Sequence, residues 1–387
     1  MPKDDLNYKF TENGIVYDFY DVFVPAENFR QPSLFVWGNN SNFRLGDGTA
    51  TTRSIPVEIT GGGTNWKQVS SGRDHMGAIK TDGTLWMWGN STNGDALGTL
   101  NTPTVVGPVT TFAGGTDWKQ ISCGFVATAA IKTDGSLWIW GRGAEGQLGN
   151  FANTTRNTPV TTFIGGNDWK QVSIANKHIG AIKTDGSLWL WGAGNNGQLG
   201  NLVTGNRNTP VTTFAGGNDW KQVSTGGYDT TAIKTDGTLW TWGTGFPLPI
   251  NASGDRLTPV TTFAGGNTWK SLGGSTSAIK TDGSLWVWGS NGYGRLGTND
   301  TTNRSTPVTT FAGGTNWKSV SGDDSYRVAI KTDGSLWTWG LNSSGQLGTF
   351  DTTQRNTPVT TFAGGNNWKQ ASAGFFRTEA VKYSPDP

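Results

Sequence analysis

The chain of 387 residues carries 58 glycines, 20 tryptophans and only 15% charged residues, with a formal net charge of +2. Such glycine and tryptophan usage excludes a helical enzyme core and a disordered tail, and points to an all-β protein with many tight turns. Near-neutral charge with scattered basic residues sets aside nucleic acid as a partner, and the single cysteine, Cys123, excludes an intrachain disulfide framework or a cysteine-based zinc site.

Residues 1–32 come first and differ in kind from the rest of the chain. The start "MPKDDLNYKF" has acidic residues and no apolar run, so it reads as neither a secretory signal nor an anchor. No stretch of the chain approaches the ~18 apolar residues of a bilayer span, so no membrane insertion is expected. The segment holds Tyr8, Phe10, Tyr17, Phe19, Tyr20, Phe23 and Phe29, and its six acids outnumber three bases. An arm this aromatic is too apolar for a linker and is expected to dock, on the rest of the chain or on another subunit.

From residue 33 to 387 the sequence repeats. The Trp of a "WG" dipeptide stands at 37, 88, 140, 191, 242, 288 and 339, and the Trp of a "WK" dipeptide at 66, 118, 169, 220, 269, 317 and 368. A period of about 50 residues is a repeat architecture. Each unit reads as four short strands, of the types "TPVTTF", "WKQVS", "TAAIK" and "LWIWG", separated by turn residues. Asp-Gly in "KTDGSL" predicts a two-residue type I′ hairpin, with positive φ at both central residues. A calcium site there would need companion acids that the segment lacks. In "LWIWG", Leu137 and Ile139 face one side and Trp138 and Trp140 the other, so the strand must be covered on both faces. Four-stranded sheets of that size, stacked radially, make a seven-bladed β-propeller. The "KTDG" hairpin occurs only six times, so the strand around Ala380 to Lys382 is expected to pair with the one around Ser33 to Trp37 and close the ring within one blade.

"GQLG" at 146–149, 197–200 and 345–348, following "AIKTDGSLWxWG", resembles the regulator of chromosome condensation repeat family. The resemblance covers about residues 33–383 and implies a seven-bladed propeller. That family includes exchange factors for a small nuclear GTPase, a secreted β-lactamase inhibitor and domains of large ubiquitin ligases, so fold does not fix function. This chain lacks the exchange factors' basic N-terminal tail and long wedge insertion. Its segment "GIVYDFYDVFVPAENFR" resembles the start of propeller proteins of marine cyanobacterial phages.

Between fixed landmarks, all length changes fall in the loop after "WKQVS" and the loop after "WG", which alternation of strand direction places on one face of the disc. The first of these loops is three residues shorter between Trp269 and Ala278 than in the other units. Its sequence also varies most, and it supplies the candidate binding residues Arg73, Asp74, His75, Phe125, Lys177, His178, Tyr228, Asp229, Asp323, Asp324, Tyr326, Arg327, Phe375, Phe376 and Arg377. Loops on a fixed frame are where recognition sits, and aromatic and arginine residues are favoured anchors. Arg53, Arg156, Arg207, Arg256, Arg304 and Arg355 recur three residues before the unit's proline and are expected to hold turn carbonyls. No nucleophile–base pair, metal cluster or phosphate-cradling loop stands out, so no enzyme, cofactor or metal is expected. The expected function is a binding or structural module of a phage virion, of tail fibre, adhesin or decoration type. Its arm would hold other virion proteins and its loop face a host cell-surface protein or glycan. The alternative is a cytoplasmic protein-binding propeller, such as a GTPase nucleotide-exchange regulator or a protein inhibitor.

Overall fold

The strands are short because glycine turns interrupt the apolar alternation every few residues, and consecutive strands pair as antiparallel neighbours. A computed structural model describes residues 9–12, 15–18, 31–91, 96–100, 104–244, 248–250 and 254–383. Its strands form seven four-stranded sheets and one two-stranded hairpin, Lys9–Glu12 with Ile15–Asp18. Blade 2 shows the plan: inner strand Trp118–Cys123, second strand Ala127–Lys132, third strand Leu137–Gly141 and outer strand Arg156–Thr161. Blade 1 begins at Trp66, blades 3 to 6 at Trp169, Trp220, Trp269 and Trp317, and blade 7 at Trp368.

Blade 7 closes the ring as expected. Its strands are Trp368–Gly374, Arg377–Tyr383, Pro32–Gly38 and Arg53–Glu58, with Ser33 opposite Lys382, Phe35 opposite Ala380 and Trp37 opposite Thr378.

The repeated letters are the contacts between blades. The Gln of "WKQVS" bonds the next inner strand twice: Gln120 donates to Val172 O at 3.0 Å and accepts from Val172 N at 3.2 Å, and Gln370 ties blade 7 to Val69 of blade 1 in the same way. The "WG" tryptophans are buried, and the indole N–H groups of Trp37, Trp140, Trp191, Trp242 and Trp339 reach a loop carbonyl of the preceding blade, as Trp191 does to Gln147 O at 2.9 Å and Trp37 to Gln346 O at 2.9 Å. The last glycine of "GQLG" makes room for that indole. A Cβ on Gly149, whose φ is +61°, would stand 2.7 Å from Trp191 Nε1.

The "KTDG" turn differs from the expected type I′. Only the glycine has positive φ, +84° at Gly135. Gly135 N bonds Lys132 O and Lys132 N bonds Ser136 O, each at 3.0 Å. This is a three-residue loop in which a type I turn is followed by a left-handed glycine. Asp134 stays in the ordinary region because its Oδ1 accepts from Ser136 N at 2.8 Å and from Ser136 Oγ at 2.7 Å, the local bonding that makes Asp a turn residue. The lysine of the motif lies against two tryptophans, with Lys132 Nζ 4.8 Å from the Trp118 ring and 5.4 Å from that of Trp138.

The aromatic residues of the arm fall largely outside the described residues: Tyr8, Phe19, Tyr20, Phe23 and Phe29 lie there, and Phe10 and Tyr17 are described only as backbone of the hairpin. Cys123 is buried, and burial pushes its thiol up to about 12, which leaves it a core residue with no nucleophilic character.

Candidate functional site: the variable loop face

Strand direction fixes two faces. In blade 7 the second strand begins at Arg377 opposite Gly38 and ends at Tyr383 opposite Pro32. The varied loops leave at the Arg377–Gly38 end. Pro32, the first residue of the third strand, is at the other end, on the face opposite the varied loops.

The first residue of each second strand sits where the sequence varies, yet it points between blades. Outside blade 5, where Ser277 pairs with Val287, it pairs with the glycine of "WG", as His75 does with Gly89 and His178 with Gly192. His75 Nε2 lies 2.8 Å from Thr128 Oγ1 of the next blade. That hydroxyl donates to Ala96 O at 2.8 Å, so it accepts from His75, which fixes the Nε2–H tautomer. His178 repeats the relay with Thr230 and Gln198 O, at 2.9 Å for each bond. Burial pushes both imidazoles down to about 3, so they are neutral. Tyr326 takes the corresponding place: its hydroxyl donates to Arg377 O and meets Thr378 Oγ1 at 2.9 Å.

These positions correct part of the sequence reading. His75, His178, Tyr326, Arg327 and Arg377 are at most 1% exposed, and Asp74 and Asp229 are buried too, so none offers a surface anchor. The pleat directs the first residue of the strand into the gap between sheets. Arg377 illustrates the use made of it: its guanidinium donates to the carbonyls of Gly72, Arg73 and His75 at 2.6–3.0 Å, binding blade 7 to blade 1. Beside it Glu379, also fully buried, accepts from Ser71 Oγ at 2.5 Å, and burial pushes its carboxyl up to about 7. Asp74 pairs with Arg44 at 2.5 Å.

The remaining candidates reach solvent: Arg73, Phe125, Lys177, Tyr228, Asp323, Asp324, Phe375 and Phe376 are exposed or half-buried. Arg73 lies 4.2 Å from the Phe125 ring centre and 5.6 Å from that of Phe375. Lys177 pairs with Glu145 at 3.3 Å. Phe375 and Phe376 form the tip of a two-residue loop, their ring centres 4.3 Å apart. Phe376 has φ +61°, a conformation that costs a bulky residue about 1 kcal/mol. Arg73, Phe125, Asn176, Gly227, Asp323, Asp324 and Phe375 surround a cavity of ≈ 170 Å³ at the centre of this face. No group of three or more His, Cys, Asp or Glu in a metal-holding arrangement occurs among the described residues, and none of their helices is long and apolar enough to cross a membrane.

A family model for the RCC1-like domain matches residues 33–380. The chain belongs to the RCC1-like domain family. Among curated proteins it is similar to the ultraviolet-B receptor UVR8 of Arabidopsis thaliana, 31% identical over 54% of this chain and 48% of that one. It is also similar to the E3 ubiquitin-protein ligase HERC2 of Homo sapiens, 30% identical over 55% of this chain and 5% of that one. The chain thus spans at most about half the length of these relatives. Among solved structures, human WBSCR16 aligns with a TM-score of 0.78 at 20% identity, covering 91% of this chain and 99% of that one. Yeast RCC1 (Prp20), crystallised bound to Kap60, aligns with a TM-score of 0.79 at 18% identity, covering 93% and 92%. At those identities the structures establish the shared fold.

Within this RCC1-like frame three of the six recurring arginines, Arg256, Arg304 and Arg355, donate to turn carbonyls, whereas Arg156 is exposed. Arg304 and Arg355 donate to the carbonyls of Thr302 and Thr353 at 2.8 and 3.1 Å and pair with Asp300 and Asp351 at 2.5 and 2.6 Å, while Arg53 pairs with Asp47 at 2.9 Å. The sequence reading missed the Phe that ends the repeated "TPVTTF" segment. Phe112, Phe163, Phe214, Phe263, Phe311 and Phe362 are 63–67% exposed in the crossovers that follow the outer strands. Two of them pack on a neighbouring ring, Phe163 on Phe151 at 5.6 Å and Phe362 on Phe350 at 5.1 Å between ring centres.

Proposed function

We propose that this chain is a non-catalytic binding module that holds a protein partner on its variable loop face. The observation that carries the reading is the ring of exposed tips around one central cavity. Arg73, Phe125, Asn176, Asp324 and Phe375 come from five different blades, and no residue type recurs among them except phenylalanine. Identical blades would have sufficed for a framework, whereas a partner with one shape requires different chemistry at each tip. Rigid blades also spare such a surface the entropy of ordering loops on binding. The breadth of the family supports the reading, since relatives as different as a light receptor and a ubiquitin ligase carry similar repeats.

Regulation of a GTPase or inhibition of another protein are forms this binding takes. A finer reading is also proposed: the N-terminal segment tethers the propeller to other proteins of a phage particle, and the loop face meets a host surface protein or glycan. It is favoured by the position of Pro32, where the propeller's first strand in the chain begins, at the end opposite the loops.

The test is affinity capture with wild type, Tyr228→Ala and Phe375→Ala. A single stoichiometric protein held by wild type and released by these substitutions, at unchanged melting temperature, supports the reading. Capture unaffected by both would overturn it. For the particle reading, mass spectrometry of purified virions must find the protein; its absence from them ends that reading.

A further inference from the structure

A lysine follows the first tryptophan of every blade, at Lys67, Lys119, Lys170, Lys221, Lys270, Lys318 and Lys369. One per repeat, they look scattered in the chain, and the fold gathers them. Each stands near the start of an innermost strand, at the end opposite the varied loops, because the tryptophan before it pairs with the lysine at the far end of the second strand, as Trp118 does with Lys132 and Trp368 with Lys382. The innermost strands are bridged from blade to blade, Gln68 to Ile121, Gln171 to Val223 and Gln370 to Val69, so the seven lysines ring one mouth of the propeller's axial channel. Lys221 Nζ donates to Lys270 O at 3.1 Å, which shows that one such side chain spans to the next blade.

Two observations set this ring apart from an ordinary solvated surface. In every blade the pairing register steps over the lysine. Trp66 pairs with Lys80 and Gln68 with Ile79, and the same step recurs in the other six blades. The lysine is thus the extra residue of a β-bulge, a device that re-aims a side chain. In blades 5 and 6 the glutamine after it is replaced by serine, and lysine and bulge both persist. The second observation is the lack of counter-charge. All seven lysines are exposed, Lys369 Nζ lying 4.7 Å from the Tyr383 ring, and among the described residues no ion pair within 4 Å involves any of them. The acids on that face are engaged or stand further out. Asp117, Asp168 and Asp219 pair with Lys132, Lys183 and Lys234 at 3.1–3.2 Å. Asp134 and its five counterparts occupy the turns between second and third strands, and Glu58 ends an outer strand.

We propose that the lysine ring is a polyanion site, holding a compact ligand that bears several phosphate groups at the mouth of the channel. Like charges arranged around one axis repel one another, and a multiply charged anion on that axis turns the repulsion into attraction. Phosphate meets the need most densely, since a monoester carries about 1.5–2 negative charges at pH 7 and three acceptor oxygens. A ligand bearing carboxylates would need about twice as many groups in the same space to supply that charge. Each ammonium is a point charge with three donors on a flexible stem, so it adapts to phosphates in any orientation. Cations that surround a single axis match a compact ligand, whereas an extended polymer calls for a basic track along a groove. The site lies on the face opposite the varied loops and does not depend on the loop-face reading.

The test titrates the full chain with inositol hexakisphosphate by calorimetry, as wild type, as the triple variant Lys170→Gln, Lys221→Gln, Lys318→Gln, and as Arg156→Gln, which removes an exposed charge from an outer strand. The three lysines are exposed, so the triple variant should fold, and its melting temperature without ligand checks that. Wild type should bind, more weakly as salt is raised, and gain melting temperature from the ligand. The triple variant should bind about 10-fold more weakly or worse, with a shallower salt dependence, while Arg156→Gln should stay within about 2-fold of wild type. Phosphatidylcholine vesicles doped with phosphatidylinositol bisphosphate separate the two sources of such a ligand. Capture on vesicles that hexakisphosphate reverses assigns a lipid headgroup, and soluble binding without capture assigns a free polyphosphate. Wild type that binds neither probe, or a triple variant that binds as wild type does, would overturn the site. A single-stranded oligonucleotide held more tightly than hexakisphosphate would overturn the compact ligand.

Discussion

Six buried threonines give the sharpest test of how the blades pack. Thr111, Thr162, Thr213, Thr262, Thr310 and Thr361 share one position just after the outer strand, at 3–4% exposure, and no hydroxyl among them has a hydrogen-bond partner. In blade 7 the same position holds Ile59, 3% exposed, so the site accepts a wholly apolar side chain. An unsatisfied buried hydroxyl costs about 1–3 kcal/mol, and valine keeps the branched shape while removing it. Thr213→Val should therefore stabilise the protein by about 1 kcal/mol, and Ile59→Thr should cost about 1–3 kcal/mol. Guanidinium chloride unfolding followed by tryptophan fluorescence reads this as a shifted midpoint at constant slope. Sites a blade apart share no partner, so two such valines should add. A loss of about 1 kcal/mol or more in Thr213→Val would refute the reasoning, showing that the hydroxyl is held by a bond such as one to an enclosed water.

Gly135→Ala should cost about 2–4 kcal/mol, because φ is +84° and the new Cβ would stand 2.1 Å from Asn167 O; denaturant midpoints check it, and binding at the loop face should not change. Removing residues 376–387 takes away the strand Arg377–Tyr383, which pairs on both edges, and should yield aggregates on gel filtration, whereas removing 1–28 should leave a chain that melts as the full one does. The neutral His178, held down at about 3, makes stability fall with acid: below its unfolded value near 6.5 the unfolded chain takes up a proton that the folded chain refuses. Its share is about 1.4 kcal/mol per pH unit between roughly 6.5 and 3. Asp229 and Asp323, raised to about 6, act with the opposite sign over about 4 to 6, so the histidine is isolated by comparing wild type with His178→Gln. Urea midpoints of the two should diverge from pH 7 to pH 5, and parallel curves would contradict a buried neutral imidazole.

The spacing of tryptophans determined the number of blades, the lack of a seventh "KTDG" hairpin determined the strand pairing that closes the ring, and strand alternation determined which loops share a face. All three come from local periodicity, because each blade repeats the same short-range pattern and strand polarity is a matter of counting. The tertiary structure decided the turn type at "KTDG". Dipeptide preference cannot distinguish two hairpin loops that both place Gly in the left-handed region, and Asp134 bonding to Ser136 selected between them. It also decided which varied residues face outward. His75, His178, Tyr326 and Tyr228 look alike as polar or aromatic substitutions in a loop, yet the first three begin a strand whose pleat turns them toward the next blade, and Tyr228 lies one residue earlier, outside that strand, and stays exposed.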